Sequence, residues 1–466
     1  MFIYNTLTGR KEKITKPSGR PLQIFVCGPT VYDWAHIGNA RVFLVFDLFV
    51  RYLRSRGWNV FYLQNITDID DKIIDRARRE GKKPAAVAAL FEKRYREDMK
   101  KLDISSVDHY ARATAFIPEI VRQIRILEEK GYAYRAGDGY YFDIKRFKDY
   151  GKLSHRTALQ ADDAVSRIDQ GADKRNKGDF ALWKFVDEGS KTEPGWETPF
   201  GYGRPGWHIE DTAITEKFFG PQYDIHGGAA DLKFPHHEAE IAQQEAASGK
   251  KPFVKTWMHV GFLLVGGKKM SKSLGNLVTI REFLKKHPPE LLRFMFLSNH
   301  YRTPFNFTEK LTDQCLAALD SFAAFLDKMA FVAKKSKKTG NDLHTARVVK
   351  ETESRFHGAL EDDFNTPGSL AEISKFVSEM QKTAFQLSPQ DARAAAGFVE
   401  KSLSVFGLKL KTPPIPPKIK AEIAKRDLLR RREQFAQADA LRKKIWALGY
   451  DLEDTPLGTF VRRRFS

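Results

Sequence analysis

The sequence predicts an α/β protein: a parallel sheet in the first part, then a helical region, then a small basic C-terminal block. Three observations carry that expectation. Strand-like and helix-like segments alternate through the first half, the pattern of a parallel sheet with helical crossovers. From Glu309 the strand signal stops, and helical periodicity runs to about Phe406 across a basic, loop-like interruption at 334–341. Pro413-Pro414-Ile415-Pro416-Pro417 then reads as a stiff linker. Beyond it, residues 418–466 hold 13 Lys or Arg against 7 Asp or Glu, a net of +6.

Taken in order, Leu22 to Val26 is a short apolar run that reads as a buried strand. Asn39 to Arg54 reads as a helix with an apolar stripe of Val42, Leu44, Val45, Phe46, Leu48, Phe49 and Leu53, closed by Gly57. Asn59 to Leu63 returns as a strand, and its continuation, Asn65-Ile66-Thr67-Asp68-Ile69-Asp70-Asp71-Lys72, leads into another helix. Residues 115–200 break the alternation. Gly131-Tyr132-Ala133-Tyr134 and Gly139-Tyr140-Tyr141-Phe142-Asp143 look like a hairpin, and the stretch through Asp173-Lys174-Arg175-Asn176 is polar and charged. The segment reads as an insertion between two halves of one fold. The sheet pattern resumes at Tyr223-Asp224-Ile225-His226 and Trp257-Met258-His259-Val260.

A chain of 466 residues suggests more than one domain. Its 42% hydrophobic and 12% aromatic content supplies packed cores and argues against disorder. With 78 basic residues against 59 acidic ones the formal charge is +19, which favours a polyanionic partner: tRNA, other nucleic acid or an anionic membrane surface. No membrane span is expected, because the apolar run Val42 to Val50 is short and interrupted by Asp47. Met1-Phe2-Ile3-Tyr4-Asn5 lacks a secretory apolar core, so the expectation is a cytoplasmic protein. The only cysteines are Cys27 and Cys315. A disulfide framework is therefore not the design, and Cys27 needs its own explanation.

Lys269-Met270-Ser271-Lys272-Ser273 follows Gly266-Gly267 and precedes Leu274-Gly275-Asn276. Two ammonium groups three residues apart on a small-residue loop suit a polyphosphate clamp, since lysine acts as a point charge that follows moving phosphate oxygens. A solvated basic loop is the bland alternative. About 230 residues upstream lies His36-Ile37-Gly38-Asn39, just after the first predicted strand, at the edge where ligands of parallel sheets sit. A histidine at a strand-to-helix turn can donate to phosphate beside a helix N-terminus that favours anions, and Gly38 lets a nucleotide approach the backbone. The alternative is a capping or surface histidine. The two motifs in this order resemble the nucleotide motifs of class I aminoacyl-tRNA synthetases. The usual first motif ends in a second histidine. Here Asn39 stands instead, an amide that donates a hydrogen bond but cannot become cationic. The resemblance implies a Rossmann-type catalytic domain in which His36, Asn39, Lys269 and Lys272 are catalytic and His36, Gly38, Asn39 and Lys272 bind ATP, with Mg2+ accompanying the nucleotide.

The resemblance narrows at Phe25-Val26-Cys27-Gly28-Pro29-Thr30-Val31-Tyr32-Asp33, Gly203-Arg204-Pro205-Gly206-Trp207-His208-Ile209-Glu210, Asp224-Ile225-His226-Gly227-Gly228 and Phe234-Pro235-His236-His237-Glu238-Ala239-Glu240. With the Asn65 segment, the lysine loop and the closing Gly449-Tyr450-Asp451-Leu452-Glu453-Asp454-Thr455-Pro456, the chain is similar to the cysteinyl-tRNA synthetase family nearly end to end. In that family two cysteines, a histidine and a glutamate hold a zinc ion in the amino-acid pocket. Carried over, the ligands are Cys27, His236 and Glu240, the last two one turn apart on a helix, with His237 expected to point elsewhere. The second cysteine falls on Asp211, a departure. Either Asp211 ligates the zinc, or Cys27 and Asp211 line a metal-free pocket. Cysteine-binding residues implied are Cys27, Gly28, Thr30, Trp207, His236 and Asp231. Trp207 is otherwise a core aromatic, and Asp231 otherwise a cap on the His236 helix.

The implied organisation is a catalytic first half at 1–114, an inserted subdomain near the tRNA acceptor end at 115–200, the catalytic second half at 201–308, a helical tRNA-binding domain at 309–408 and an anticodon-recognition region at 409–466. Arg430-Arg431-Arg432, Arg442-Lys443-Lys444 and Arg462-Arg463-Arg464 mix there with Phe435, Trp446, Tyr450, Phe460 and Phe465, groups that hold phosphates and stack on unpaired bases, or else form a solvated basic surface. The implied activity is joining of L-cysteine to tRNA(Cys) with ATP, by a monomer. A cysteine ligase that passes the adenylate to a small amine, as in mycothiol biosynthesis, is opposed by the full basic C-terminal block. A small-molecule nucleotidyltransferase leaves the pocket residues unexplained, and a non-catalytic tRNA-binding protein leaves both phosphate motifs unexplained.

Overall fold

The structure, a computed structural model, describes residues 1–156, 173–190, 193–270, 274–340, 342–410 and 413–464, and of Lys269 the backbone alone. Lys272, Phe465 and part of the inserted segment lie outside the described residues. Two compact units form, residues 1–286 with 301–306 and residues 287–300 with 307–466.

The first unit is built on a five-stranded sheet whose spatial order is Val254–Val260, Tyr223–Ala229, Leu22–Val26, Val60–Ile66, His109–Arg112. Every neighbouring pair is parallel. Parallel strands are covered on both faces and so read as continuous apolar runs, as Leu22–Val26 does, with Ile24, Phe25 and Val26 fully buried. Helix Ile37–Ser55 is a crossover with burial around most of its circumference, including Phe46, Phe49 and Val50. From Leu22–Val26 the chain first adds strands toward His109–Arg112, then returns to add Tyr223–Ala229 on the other side. That reversal makes a topological switch point, and ligands of open α/β sheets bind there, beyond the strands' carboxyl ends.

Between the two halves sits an antiparallel four-stranded sheet of Ala133–Ala136, Gly139–Phe142, Phe180–Phe185 and Gly203–Pro205. The first two strands form a hairpin, and Phe142 stacks on Phe180 with ring centroids 5.0 Å apart. The last strand feeds helix Trp207–Phe219 through Gly206. A side chain at Gly206 would overlap the Ala181 carbonyl, so the entry to that helix needs glycine.

The second unit packs helices Pro289–Leu297, Glu309–Lys335, Leu343–Glu361, Thr366–Lys382 and Pro389–Val405 around Leu319, Phe322, Phe325, Phe356, Ile373 and Phe376. Helices Pro417–Arg431 and Phe435–Ala447 follow. The expectation that strands stop at Glu309 is corrected by an antiparallel hairpin, Tyr450–Thr455 with Gly458–Arg463. Only Tyr450, Leu452 and Phe460 of it are buried, too few apolar residues to stand out against the charged ones. A second hairpin, Phe2–Asn5 with Arg10–Lys13, precedes the parallel sheet, and its second strand is wholly charged. None of the described helices is long and apolar enough to cross a membrane.

Candidate metal centre and nucleotide cavity

Cys27 follows the central strand at the switch point, where its N–H donates to the Gly227 carbonyl of the neighbouring strand at 3.1 Å. Its thiol is buried among four groups. Asp211 Oδ2 lies 3.4 Å from Sγ, His226 Nε2 3.3 Å, His237 Nε2 3.2 Å and Glu240 Oε1 3.9 Å. His236 Nε2 stands 3.1 Å from Asp211 Oδ2 and 3.0 Å from Glu240 Oε1. The chain thus brings Cys27, Asp211, His236 and Glu240 together, all buried, with one ligand atom of each within 4.8 Å of the others.

Three elements deliver the four side chains, Cys27 coming just past the end of strand Leu22–Val26. Asp211 lies on the first turn and a half of helix Trp207–Phe219; His236 and Glu240 lie one turn apart on helix His236–Ser248. Trp207 stacks on the His236 ring, with centroids 4.0 Å apart and 16° between planes, and so fixes its orientation. His237 does not point elsewhere, as the four-residue spacing suggested. At 3.2 Å its Nε2 is the nearest to Sγ of the four polar groups around Cys27. The four-residue rule sorts residues along the side of a helix. A group beside the first turn is approached by both adjacent residues.

Around these groups lies a histidine network that sequence reasoning missed. His237 Nδ1 is 2.8 Å from His259 Nε2, whose Nδ1 is 2.9 Å from Thr6 Oγ1. His226 Nδ1 is 2.6 Å from the Tyr223 hydroxyl, and His208 Nδ1 is 2.7 Å from His236 Nδ1. His226 was detectable: it stands in the strand that pairs with the Cys27 strand, within Asp224-Ile225-His226-Gly227-Gly228. Burial holds His208, His226 and His237 well below the ordinary imidazole value and His259 down to about 3, so these rings are neutral. Burial, then the negative charges of Glu240 and Asp211, pushes the Cys27 thiol up; burial, then Asp211, pushes Glu240 up.

This donor set fits a metal ion. Three acidic groups crowd together with neutral imidazole nitrogens, and Asp211 Oδ1 is buried without a hydrogen bond. A divalent cation would satisfy the lone pairs and relieve the like-charge crowding. Sulfur, nitrogen and carboxylate oxygen together suit zinc rather than calcium or magnesium.

A cavity of about 680 Å³ opens beside Cys27 and extends to the His36 turn. Its lining takes in Cys27, Gly28, Thr30, Asp231, His36, Gly38, Asn39 and Met270. Gly28 N–H donates to Asn65 Oδ1 at 2.5 Å, and a side chain at Gly28 would overlap the Asn65 carbonyl. His36 is the N-cap of helix Ile37–Ser55. Its Nδ1 accepts the Asn39 N–H at 3.2 Å, and Asn39 Oδ1 accepts the His36 N–H at 3.2 Å. The capping reading and the cavity reading therefore hold together. With Nδ1 occupied as an acceptor, the ring's proton sits on Nε2, available as a donor. Burial lowers the His36 pKa against the raising effect of Asp231. Asp231 does not cap the following helix, whose N-cap is Pro235. Lys269 lies in a short strand, Lys268–Lys269, paired with Leu263–Val265, rather than in an open loop.

A parallel sheet with a switch-point cavity, a histidine-capped helix and an inserted antiparallel subdomain defines the catalytic domain of a class I synthetase. The family described as tRNA synthetases class I (C) catalytic domain matches residues 13–317, and the DALR domain matches 355–411. The chain is 41% identical to the cysteine–tRNA ligase of Thermococcus onnurineus, covering 99% of this chain and 98% of that one. It is 41% identical to that of Coxiella burnetii, covering 99% and 100%. Among solved structures it is similar to Mycobacterium tuberculosis methionyl-tRNA synthetase in complex with methionyl-adenylate, with TM-score 0.59, 16% identity and coverage of 84% and 90%. It also resembles the Agrobacterium radiobacter LeuRS ternary complex, with TM-score 0.64, 11% identity and coverage of 84% of each chain. The chain belongs to the cysteine–tRNA ligase family.

Proposed function

We propose that this protein joins L-cysteine to tRNA(Cys) with ATP, through a cysteinyl-adenylate. The observation that carries the reading is one continuous space: Cys27, in the Asp211, His236 and Glu240 cluster, and the His36 turn line the same cavity. An amino acid held by its sulfur at one end would meet a triphosphate at the other. The cysteine carboxylate attacks the α-phosphate and pyrophosphate leaves. A hydroxyl of the tRNA's terminal ribose then attacks the acyl carbonyl, and AMP leaves. Such steps demand positioning and charge stabilisation.

Cys27, Asp211, His236 and Glu240 would hold zinc. Bound there, zinc supplies a soft acid for which the substrate's thiolate is a better ligand than serine's hydroxyl. Gly28 and Thr30 shape the amino-acid end, Trp207 holds His236 in place, and Asp231 receives the α-ammonium. His36 donates from Nε2 to phosphate, Asn39 adds an amide donor, and Gly38 gives the nucleotide room. Lys269 and Lys272 close over the triphosphate, which enters with Mg2+. The inserted sheet meets the acceptor end, the helices the body of tRNA, and the C-terminal block the anticodon. The protein works as a cytoplasmic monomer. A ligase acting on a small amine is disfavoured, since similarity to cysteine–tRNA ligases runs through the basic C-terminal block. Cysteine-dependent pyrophosphate exchange together with charging of tRNA(Cys) tests the proposal. Exchange without charging would replace it with the small-amine reading.

A further inference from the structure

We propose that Arg281 and Trp34 are positioning residues for the phosphate end of the cavity, acting through His36. The inference rests on the reading of that cavity as an ATP site. Trp34 lines the cavity two residues before His36. The Arg281 guanidinium carbon lies 4.1 Å from the Trp34 ring centroid, and that of Arg94 lies 4.0 Å from it. Phe91 meets the same ring edge-on at 6.1 Å. Indole is the best aromatic partner for a guanidinium, and a planar cation stacked on it holds both groups in one orientation.

Arg281 is itself held. Its Nε donates to Asp98 at 3.0 Å and an NH2 group to Glu97 at 2.7 Å. Asp98 is 1% exposed, and its other carboxylate oxygen has no hydrogen bond, so Arg281 is the cation that compensates a buried charge. The backbone beside Arg281 is tied to the His36 turn. Ile37 N–H donates to the Val278 carbonyl at 3.0 Å, Ile280 N–H donates to the Ala35 carbonyl at 3.0 Å, and Thr279 bridges His36. Helix Pro84–Lys101, the segment after the lysine motif and the His36 turn therefore meet at one stacked indole. A fold held only for stability has no need to centre this junction on a residue that lines the cavity. A positioning device does, because small displacements of a phosphate donor are costly.

The test is pyrophosphate exchange with full-length protein. Arg281→Gln and Trp34→Leu are each expected to raise the KM for ATP about tenfold and to lower kcat, with the KM for cysteine within about twofold of wild type. In a His36→Ala background, Arg281→Gln is expected to add little, because the residues act as one unit. Arg281→Lys keeps the charge opposite Asp98 without the planar stack and should recover exchange only in part. The double variant Asp98→Asn/Arg281→Gln removes both charges and guards against loss of folding. Equal effects on the two KM values, or full multiplication with His36→Ala, would overturn the inference. ATP-dependent thermal shift needs no turnover. If wild-type protein shows no exchange but its ATP shift is lost in Arg281→Gln, the functional reading fails and the positioning role stands.

Discussion

At position 211 a carboxylate stands where the family pattern calls for a thiolate, and the surrounding geometry absorbs the change. Asp211 Oδ2 reaches both Cys27 and His236, so the four-donor set stays complete, with its three anionic members at the same formal charge. Purified protein is expected to carry about one zinc per chain by metal analysis. Asp211→Ala should weaken the metal by more than about 100-fold, whereas Asp211→Cys should retain it. Full zinc in the alanine variant would move the ligand role to His226 and His237, which with Cys27 and Glu240 form the overlapping set. His36 gives a second residue-scale expectation, one of pH. The unfolded imidazole titrates near 6.5, whereas burial holds the folded one lower. As pH falls, the unfolded chain takes up this proton first. The stability due to neutral His36 is therefore whole above about 6.5 and is lost as pH falls toward the folded pKa. His36→Asn keeps a cap acceptor but does not titrate. The difference between its urea midpoint and that of wild type should shrink as pH drops from 7.5 to 5.5; a constant difference would refute the neutral-cap account.

Elements were legible where burial is two-sided. The strand Leu22–Val26 and the crossover Ile37–Ser55 announce themselves because apolar residues dominate both, with Gln23 alone breaking the first run and Asp47 alone breaking Val42 to Val50 of the second. The two peripheral hairpins did not, since among their strand residues only Ile3 and Asn5 of the first and Tyr450, Leu452 and Phe460 of the second are buried. Within the site, Cys27, Asp211, His236 and Glu240 were legible as motif positions. His237 was not, because helical spacing alone does not say where along its axis a helix meets a partner. Close packing between elements also depends on residues whose importance lies in what they lack. Gly28 is one: a Cβ there would overlap the Asn65 carbonyl of the neighbouring strand. Gly28→Ala should push these strands apart and cost about 1–3 kcal/mol. Denaturant titration measures the loss, and the KM for cysteine should rise with it, since Gly28 lines the cavity. A variant of wild-type stability would mean the strands separate freely.

At the scale of the molecule, the +19 charge had no address in the composition, and the structure shows which part of the C-terminal excess is already spent. Arg462 is paired with Asp320 and, across the terminal hairpin, with Asp451, and Arg426 is paired with Asp454; the Asp320 and Asp454 pairs hold the hairpin to its neighbouring helices. Lys444 is paired with Glu422. Arg431, Arg432 and Lys443 are exposed and have no ion-pair partner among the described residues, and Phe435 and Trp446 stand exposed on the same helix pair. These cations are free to displace counterions from a phosphate backbone. The triple variant Arg431→Gln/Arg432→Gln/Lys443→Gln should therefore weaken tRNA binding and flatten the dependence of log K on log salt by about 2–3 units, at roughly 0.7–0.9 per lost phosphate contact. The cavity proposed for pyrophosphate exchange is lined by residues of the other unit, so exchange should be unchanged. Filter binding across a salt series gives the slope. An unaltered slope would make this surface a solvated basic face and place the RNA contacts elsewhere, whereas a loss of exchange as well would mean the substitutions had disturbed the fold.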